Sequence, residues 1–402
     1  MKDMRIFRIN LNSQLFASIL FFFLFSFISC VNLSRLHLNA QSIFSFSEIG
    51  ESILCGDARM SALGYVEIPG TFSSNLCGSI AFLKKTGIDF TYSGVRLEMM
   101  DEEGKNIMHY YCIPYIKAAT TLPLDLAVGF NIKKVMDFNA NFVTSPDSVN
   151  GISIQKRFLK KGQLSLGSIE IAKTLGNTAG LGFSFNVLFG SSDELWITNF
   201  LDTLYIDTKD SLNSNYFGYS YSLGIVFDFH PINFVFGYSF PLSCEKETRS
   251  LSYFRKDTTE IEDELIFPSL YSCGFNLFVR EDLNFLITLR YRSWSNFKYN
   301  GTKKEGFLDV LSYSVGLEYS GIKGYKKRGF PLRFGYFSKP WYFKNSYNER
   351  IVDNGVTIGT SIPVLKKAGF LDLAFVAGRR KTRELEERFY SFHIGFNFYE
   401  RW

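Results

Sequence analysis

Arg388-Phe389-Tyr390-Ser391-Phe392-His393-Ile394-Gly395-Phe396-Asn397-Phe398-Tyr399-Glu400-Arg401-Trp402 reads as one β-strand with two unlike faces. Alternate positions place Tyr390, Phe392, Ile394, Phe396, Phe398, Glu400 and Trp402 on one side. Phe389, Ser391, His393, Gly395, Asn397, Tyr399 and Arg401 fall on the other. Only an extended chain uses a period of two, and this run exceeds the roughly 5–6 residues of an ordinary strand. Apolar residues outside with small and polar residues inside predict a strand of a membrane-spanning barrel.

The pattern recurs upstream. Phe217, Tyr219, Tyr221, Leu223, Ile225, Phe227 and Phe229 alternate with Gly218, Ser220, Ser222, Gly224, Val226 and Asp228. Leu311, Tyr313, Val315, Leu317 and Tyr319 alternate with Ser312, Ser314, Gly316 and Glu318. The same holds for Leu283 to Arg292 and for Leu371 to Gly378. In water such faces would be inside out; in a bilayer the apolar face meets lipid and the small inner residues leave a lumen. A large soluble sandwich is the competing reading. Composition sides with the barrel: Phe is 43 of 402 residues, Tyr adds 22, and Pro is held to 10, as long ladders require. A helical membrane protein needs apolar runs of about 18 or more, and none follows residue 31.

Residues 1–40 read as a signal peptide. Lys2, Arg5 and Arg8 precede an apolar core from Leu15 to Ile28, with cleavage after Ala40 and lipid attachment at Cys30 as the other option. Residues 41–87 lack clean alternation and carry Gly50, Gly56, Gly64, Gly70 and Gly78; they are expected to form a hatch inside the lumen rather than a periplasmic tail. Residues 88–402 are the barrel. Tight turns are placed at Thr120–Pro123, Lys160–Gly162, Asp228–Pro231, Arg280–Asp282 and Val364–Gly369. Long polar loops are placed near 99–107, 137–149, 243–264, 296–306, 340–350 and 379–387. With Thr174–Ala179 as an outer loop and a further turn at Gly190–Asp193 the count is sixteen strands; without that pair it is fourteen, and both keep the termini on the periplasmic side. Cys55 and Cys77 pair in an oxidising periplasm or stay as thiols.

Several stretches resemble the long-chain fatty acid outer-membrane transporter family, in a divergent Bacteroidetes-like form found with adaptor barrels. Gly56-Asp57-Ala58-Arg59-Met60-Ser61-Ala62-Leu63-Gly64 is similar to the opening of that family's hatch, with Tyr65 where a second glycine is expected. Asn75-Leu76-Cys77-Gly78-Ser79-Ile80-Ala81-Phe82-Leu83 resembles a second hatch segment, with Leu76 in place of proline. Gly359 to Pro363, Leu371-Asp372-Leu373, Ala377-Gly378-Arg379-Arg380 and Ile394 to Trp402 follow the family's ending. The resemblance implies a fourteen-stranded barrel with an N-terminal hatch in a bacterial outer membrane. Phe396, Phe398 and Trp402 likewise resemble the terminal signal that barrel-assembly machinery recognises.

Catalysis finds no support. The four histidines, His37, His109, His230 and His393, form no Ser/His/Asp constellation, and neither a metal-ligand cluster nor a cofactor motif occurs. A net charge of +5, dispersed along the chain, argues against nucleic acid. The candidate functional residues are the inward charges Asp228, Arg290, Arg292, Glu318, Arg333 and His393. They either satisfy one another and hold the hatch, or Arg290 and Arg292 bind the carboxylate of an amphipathic solute through their fork geometry. Two functions follow. One is passive uptake of hydrophobic or amphipathic, fatty-acid-like small molecules. The other is a non-conducting docking barrel whose charged loops hold a protein partner in secretion or surface-protein assembly. A bindable apolar pocket in the lumen favours the first; a filled lumen favours the second.

Overall fold

The computed structural model describes residues 49–399 apart from 101–103, 145, 150, 177, 203, 253–257, 324–325, 328–329, 346–347, 365–368 and 384. The expected signal peptide at 1–40, with Cys30, and the terminal Trp402 lie outside the described residues. Those described form a closed antiparallel barrel of fourteen strands. Its first half comprises β1 (Gly87–Met100), β2 (Lys105–Leu122), β3 (Leu126–Asp137), β4 (Ile152–Leu175), β5 (Ala179–Phe200), β6 (Thr208–Phe229) and β7 (Ile232–Ser239 continued as Leu242–Leu251). The second half runs through β8 (Thr258–Phe267 continued as Leu270–Arg280), β9 (Leu283–Arg292), β10 (Val310–Tyr319), β11 (Leu332–Lys344), β12 (Arg350–Val364), β13 (Gly369–Lys381) and β14 (Glu386–Tyr399). Strand β1 pairs with β14 from Gly87↔Tyr399 to Met100↔Glu386, which closes the sheet.

The two faces sort as the alternation demands. Phe217, Tyr219, Tyr221, Leu223, Leu311, Tyr313, Leu317, Phe375, Phe392, Phe396 and Phe398 are exposed on the outer wall. Ser220, Ser312, Ser314, Asp372, Ser391, His393 and Asn397 are buried toward the lumen. A belt of exposed aromatic and aliphatic side chains around a closed sheet is stable only against lipid.

Sixteen strands are ruled out. Lys160–Gly162 and Gly190–Asp193 are not turns: they lie within β4 and β5 and face each other, Lys160↔Glu194 and Gly162↔Ser192. These glycines, at φ 140° and 154°, let the two strands approach, since a Cβ at either would meet the facing strand's carbonyl oxygen at 2.1 Å; Lys160 and Glu194 also form an ion pair at 2.7 Å. Thr174–Ala179 is therefore the short connection between β4 and β5, on the same side as the other tight turns, and not an outer loop. The charged stretch 243–264 is not a loop either. Its residues 243–251 and 258–264 form the far halves of β7 and β8, paired from Leu242↔Phe267 to Leu251↔Thr258, and their charges meet across the ladder, Arg249 to Glu260 at 3.1 Å. Likewise 340–344 belongs to β11.

Prolines mark where the ladders lapse, since each lacks a backbone donor. β7 breaks at Pro241, β8 breaks at Pro268, and β11 shifts register after Pro340. The largest lapse is at Pro114. Below it β2 pairs with β3 from Tyr115↔Lys133 to Leu122↔Leu126. Above it β2 pairs with β1 alone, and the edge of β3 that β2 leaves is taken by a strand from inside the barrel, Glu51–Ser52, in the register Glu51↔Asp137 and Ser52↔Met136.

Candidate functional site: the filled lumen

That inner strand opens a segment, residues 49–86, that packs within the barrel. Its helix α1 (Ala58–Ala62) is capped by Asp57, whose Oδ1 accepts from Met60 N at 2.7 Å; a 3₁₀ turn follows at Cys77–Phe82. Met60, Leu63, Val66 and Ile68 pack against Leu286 of β9, and Phe72, Ile80 and Ala81 against Ala119, Ala127 and Ala172 of the wall. Inner-face glycines let the backbones meet. A Cβ at Gly335 would lie 2.2 Å from the carbonyl carbon of Leu63, and one at Gly182 would lie 2.4 Å from that of Cys77. Tyr65 adopts the left-handed φ of 64° although it is not glycine, and its ring fits edge-on against Phe337 at 5.4 Å.

Charge pairs fix this hatch to the wall at several heights. Arg59 grips Glu318 with two donors, Nε at 3.0 Å and Nη2 at 2.8 Å. Arg333 reaches the same carboxylate at 2.8 Å and Asp372 at 3.1 Å. Arg290 donates to Tyr65 O at 2.5 Å and to Glu67 Oε1 at 3.0 Å. Lys117 reaches Ser74 O at 2.6 Å. Arg380 holds Glu51 at 2.7 Å and 3.1 Å and sits over Trp341 at 4.9 Å. Glu67 is the hub of the hatch itself, accepting also from Ser74 Oγ and Asn75 N. Burial alone would raise its carboxyl, but Arg290 and the Asn75 amide outweigh that and hold it below the usual range. Asp57, buried with Asp372 as a like charge nearby, is pushed up.

The inward charges therefore divide. Glu318 and Arg290 hold the hatch, and Arg333 joins Glu318 to Asp372 within the wall. His393 lies 3.5 Å from Tyr65 Oη. Asp228 stands apart at the β6–β7 turn, opposite Asn233, and does not line the lumen cavity. Arg292 faces that cavity and lies over Trp294 at 5.5 Å. Cys55 and Cys77 are both free thiols; Cys55 donates to Pro114 O at 3.0 Å, where the hatch abuts the lapse in the wall. Sequence reasoning missed Glu51, Glu67, Lys117, Lys339, Asp353 and Arg380. Lys117, Asp353 and Arg380 had a legible signal, a charge at an inward position of an alternating run.

Above the hatch a second core crosses the lumen. Phe138 stacks on Tyr216 at 5.4 Å and Trp294 on Tyr342 at 4.4 Å, with Phe267, Phe297 and Phe307 around them. Tyr342 Oη donates to Gly50 O at 2.5 Å, which ties the roof to the hatch. Between roof and hatch lies a cavity of about 200 Å³, ringed by serines such as Ser168, Ser184, Ser220, Ser272 and Ser312.

Comparison with known proteins places this geometry. A family model described as BamG matches residues 18–402. A Pseudomonas aeruginosa FadL homologue superposes with a TM-score of 0.62 at 9% identity, over 86% of this chain and 99% of that one. The toluene transporter TbuX of Ralstonia pickettii gives 0.57 at 10%, and the toluene transporter TodX of Pseudomonas putida 0.57 at 12%, each over 86% of this chain and 98% of theirs. At such identities the likeness establishes the fold, that of the hydrophobic-compound transporter barrels. No curated protein matches. A closed barrel of this type, with its lipid-facing belt, belongs in the bacterial outer membrane.

Proposed function

The chain belongs to the BamG family, and from that premise we propose that it is a sealed outer-membrane barrel that docks a partner in barrel assembly, the process to which the family name points. The observation that carries this reading is the filling of the lumen. The hatch is bonded to the wall at several heights, the aromatic roof closes the space above it, and the cavity left is about 200 Å³, below the roughly 300–1,000 Å³ of pockets for drug-sized ligands. The docking element is the far half of the β7–β8 hairpin, whose Arg249 and Glu260 side chains are 64% and 69% exposed. In this reading residues 1–40 direct export, 41–87 are the hatch and 88–402 the barrel.

The test replaces residues 247–262 with a two-residue Asn-Gly turn and isolates the barrel in mild detergent. Loss of a co-purifying assembly protein from the shortened barrel supports docking. A native barrel that carries no protein partner, in cells where assembly proceeds, rules it out.

A second reading, uptake of hydrophobic or amphipathic small molecules, draws support from the lapse between β2 and β3. Hatch residues Ser52 to Cys55 line the cavity on one side and fill the lapse on the other, so a shift of this short segment would join cavity to lipid. A stoichiometric small molecule in native mass spectra, with no protein partner, would favour it.

A further inference from the structure

The far half of β8 has one open edge. From Thr258 to Asp263 it pairs with β7 on one side, and among the described residues no strand pairs with it on the other. Closer to the membrane that second side is occupied. Leu265 and Ile266 pair with Tyr299 and Lys298. Glu264 donates its N–H to Asn300 Oδ1 at 2.7 Å and accepts from Asn300 N at 2.8 Å. There the neighbour leaves: Asn300 and Gly301, at φ 48° and 76°, turn the chain back onto Thr302 and Lys303, as the left-handed pair of a hairpin turn does.

Glu264 fixes which way the remaining main-chain groups point. A residue in an antiparallel strand sends its N–H and C=O to the same side, and successive residues alternate. Thr258, Glu260 and Glu262 therefore direct theirs outward, as Glu264 does, while Thr259, Ile261 and Asp263 turn to β7. Such a row is a template for one more strand. Neither proline nor a bulge blunts it, since the register with β7 runs unbroken.

The side chains select the strand that fits. On the face shared with Phe217, Glu264 stands opposite Glu245, Glu262 opposite Glu247 and Glu260 opposite Arg249. Two of these three pairs set like charges directly across the ladder, which is unfavourable. Arg249 answers Glu260, and Glu245, Glu247 and Glu262 have no ion pair among the described residues. Between the edge glutamates, on the other face, Ile261 is 48% exposed. A second copy of this edge would bring the same carboxylates and be repelled. A strand with cations beside the glutamates and an apolar side chain beside Ile261 satisfies both faces.

We propose that the edge Thr258–Asp263 receives an extended segment of a partner protein as an added antiparallel strand, in which basic and apolar residues alternate. Each basic residue lies opposite Glu260 or Glu262 and exchanges two main-chain hydrogen bonds with it. The partner's role in barrel assembly rests on the docking reading above; the edge site itself does not.

The test uses the full barrel in a non-ionic detergent and a fluorescein-labelled heptapeptide of alternating lysine and valine, followed by anisotropy. N-methylation of the lysine amides should weaken binding at least tenfold, because those N–H groups face β8; N-methylation of the valine amides, which face away, should change it little. Replacing lysine by glutamate in the peptide should abolish binding. On the barrel, Glu262→Pro removes an outward N–H that β7 does not use and should weaken binding at least tenfold, while Glu247→Gln/Glu262→Gln should weaken it severalfold. All variants are checked for the gel shift of a folded barrel. Equal binding of the lysine-methylated peptide, equal binding of the glutamate peptide, or unchanged binding to folded Glu262→Pro would overturn the proposal. If the assembly protein leaves the shortened barrel but stays on folded Glu262→Pro, docking stands and strand addition falls. If the peptide obeys these rules while the native barrel carries no partner, the edge site stands and the docking role falls.

Discussion

Arg59 and Glu318, 259 positions apart in sequence, meet through two hydrogen bonds of 3.0 Å and 2.8 Å between the hatch helix and β10. Glu318 has Arg333 on its other side at 2.8 Å, so one buried carboxylate answers two guanidinium groups. Removing the carboxylate leaves Arg59 unpaired and Arg333 with Asp372 alone, and breaking a buried pair costs about 3–5 kcal/mol. Glu318→Gln should therefore lower the temperature at which the barrel loses its folded gel mobility. The double variant Glu318→Gln/Arg59→Gln should recover part of that loss.

Gly335 is the place to expel the hatch by bulk. Its inner face touches Leu63 and Gly64 so closely that any side chain collides with backbone, and backbone cannot step aside as a flexible side chain does. Gly335→Val should leave the strands paired but expose residues 49–86 to limited proteolysis, with new cleavage sites there and none in the barrel. An unchanged digestion pattern would count against the fit.

The two faces of the wall should answer charge differently. Leu223 is 48% exposed on the lipid side, where a cation near the midplane costs about 2–4 kcal/mol; Ser220, on the inner face of the same strand, looks into the polar lumen. Leu223→Arg should reduce the assembled fraction in membranes severalfold and Ser220→Lys much less. Equal losses would mean that the outer belt does not face lipid.

Glu67 predicts how the hatch responds to acid. Its carboxyl titrates below the ordinary range while bound to Arg290 and the Asn75 amide, and near ~4.3 once released. A depressed carboxylate stabilises the bound state above the released value, and that contribution fades as pH falls through the bound one. The Arg290 tether should weaken only below about pH 4, and labelling of Cys77 by a dipyridyl disulfide, which reacts with thiols in acid, should rise there. Glu67→Gln should label readily at pH 7 and lose the dependence.

Much of this was legible in one dimension. The period of two, with Phe217, Tyr219, Tyr221 and Leu223 outside and Ser220 and Gly224 inside, needs no partner strand to be read, because pleating alone sends neighbours to opposite faces. The hatch announced itself by losing that period and by its glycines. The number of strands was harder. Gly162 and Gly190 carry the residue type of a turn, yet each lies within a strand that continues, and only the partner opposite shows which. The charges at 243–264 looked like a solvated loop for a similar reason: Arg249 and Glu260 neutralise each other only after the strands have paired.

The sequence by itself determined that the chain is an outer-membrane barrel preceded by an irregular segment, since periodicity and aromatic excess are local properties of a chain in contact with lipid. The tertiary structure alone decided what the inward charges do. Arg290 and Arg292 are two positions apart on the same face of β9, and nothing in their order separates them. One finds Glu67 and becomes a tether; the other finds no carboxylate and faces the cavity. Partnership among buried charges depends on distances between elements far apart in sequence, and those distances exist only once the sheet has closed around the hatch.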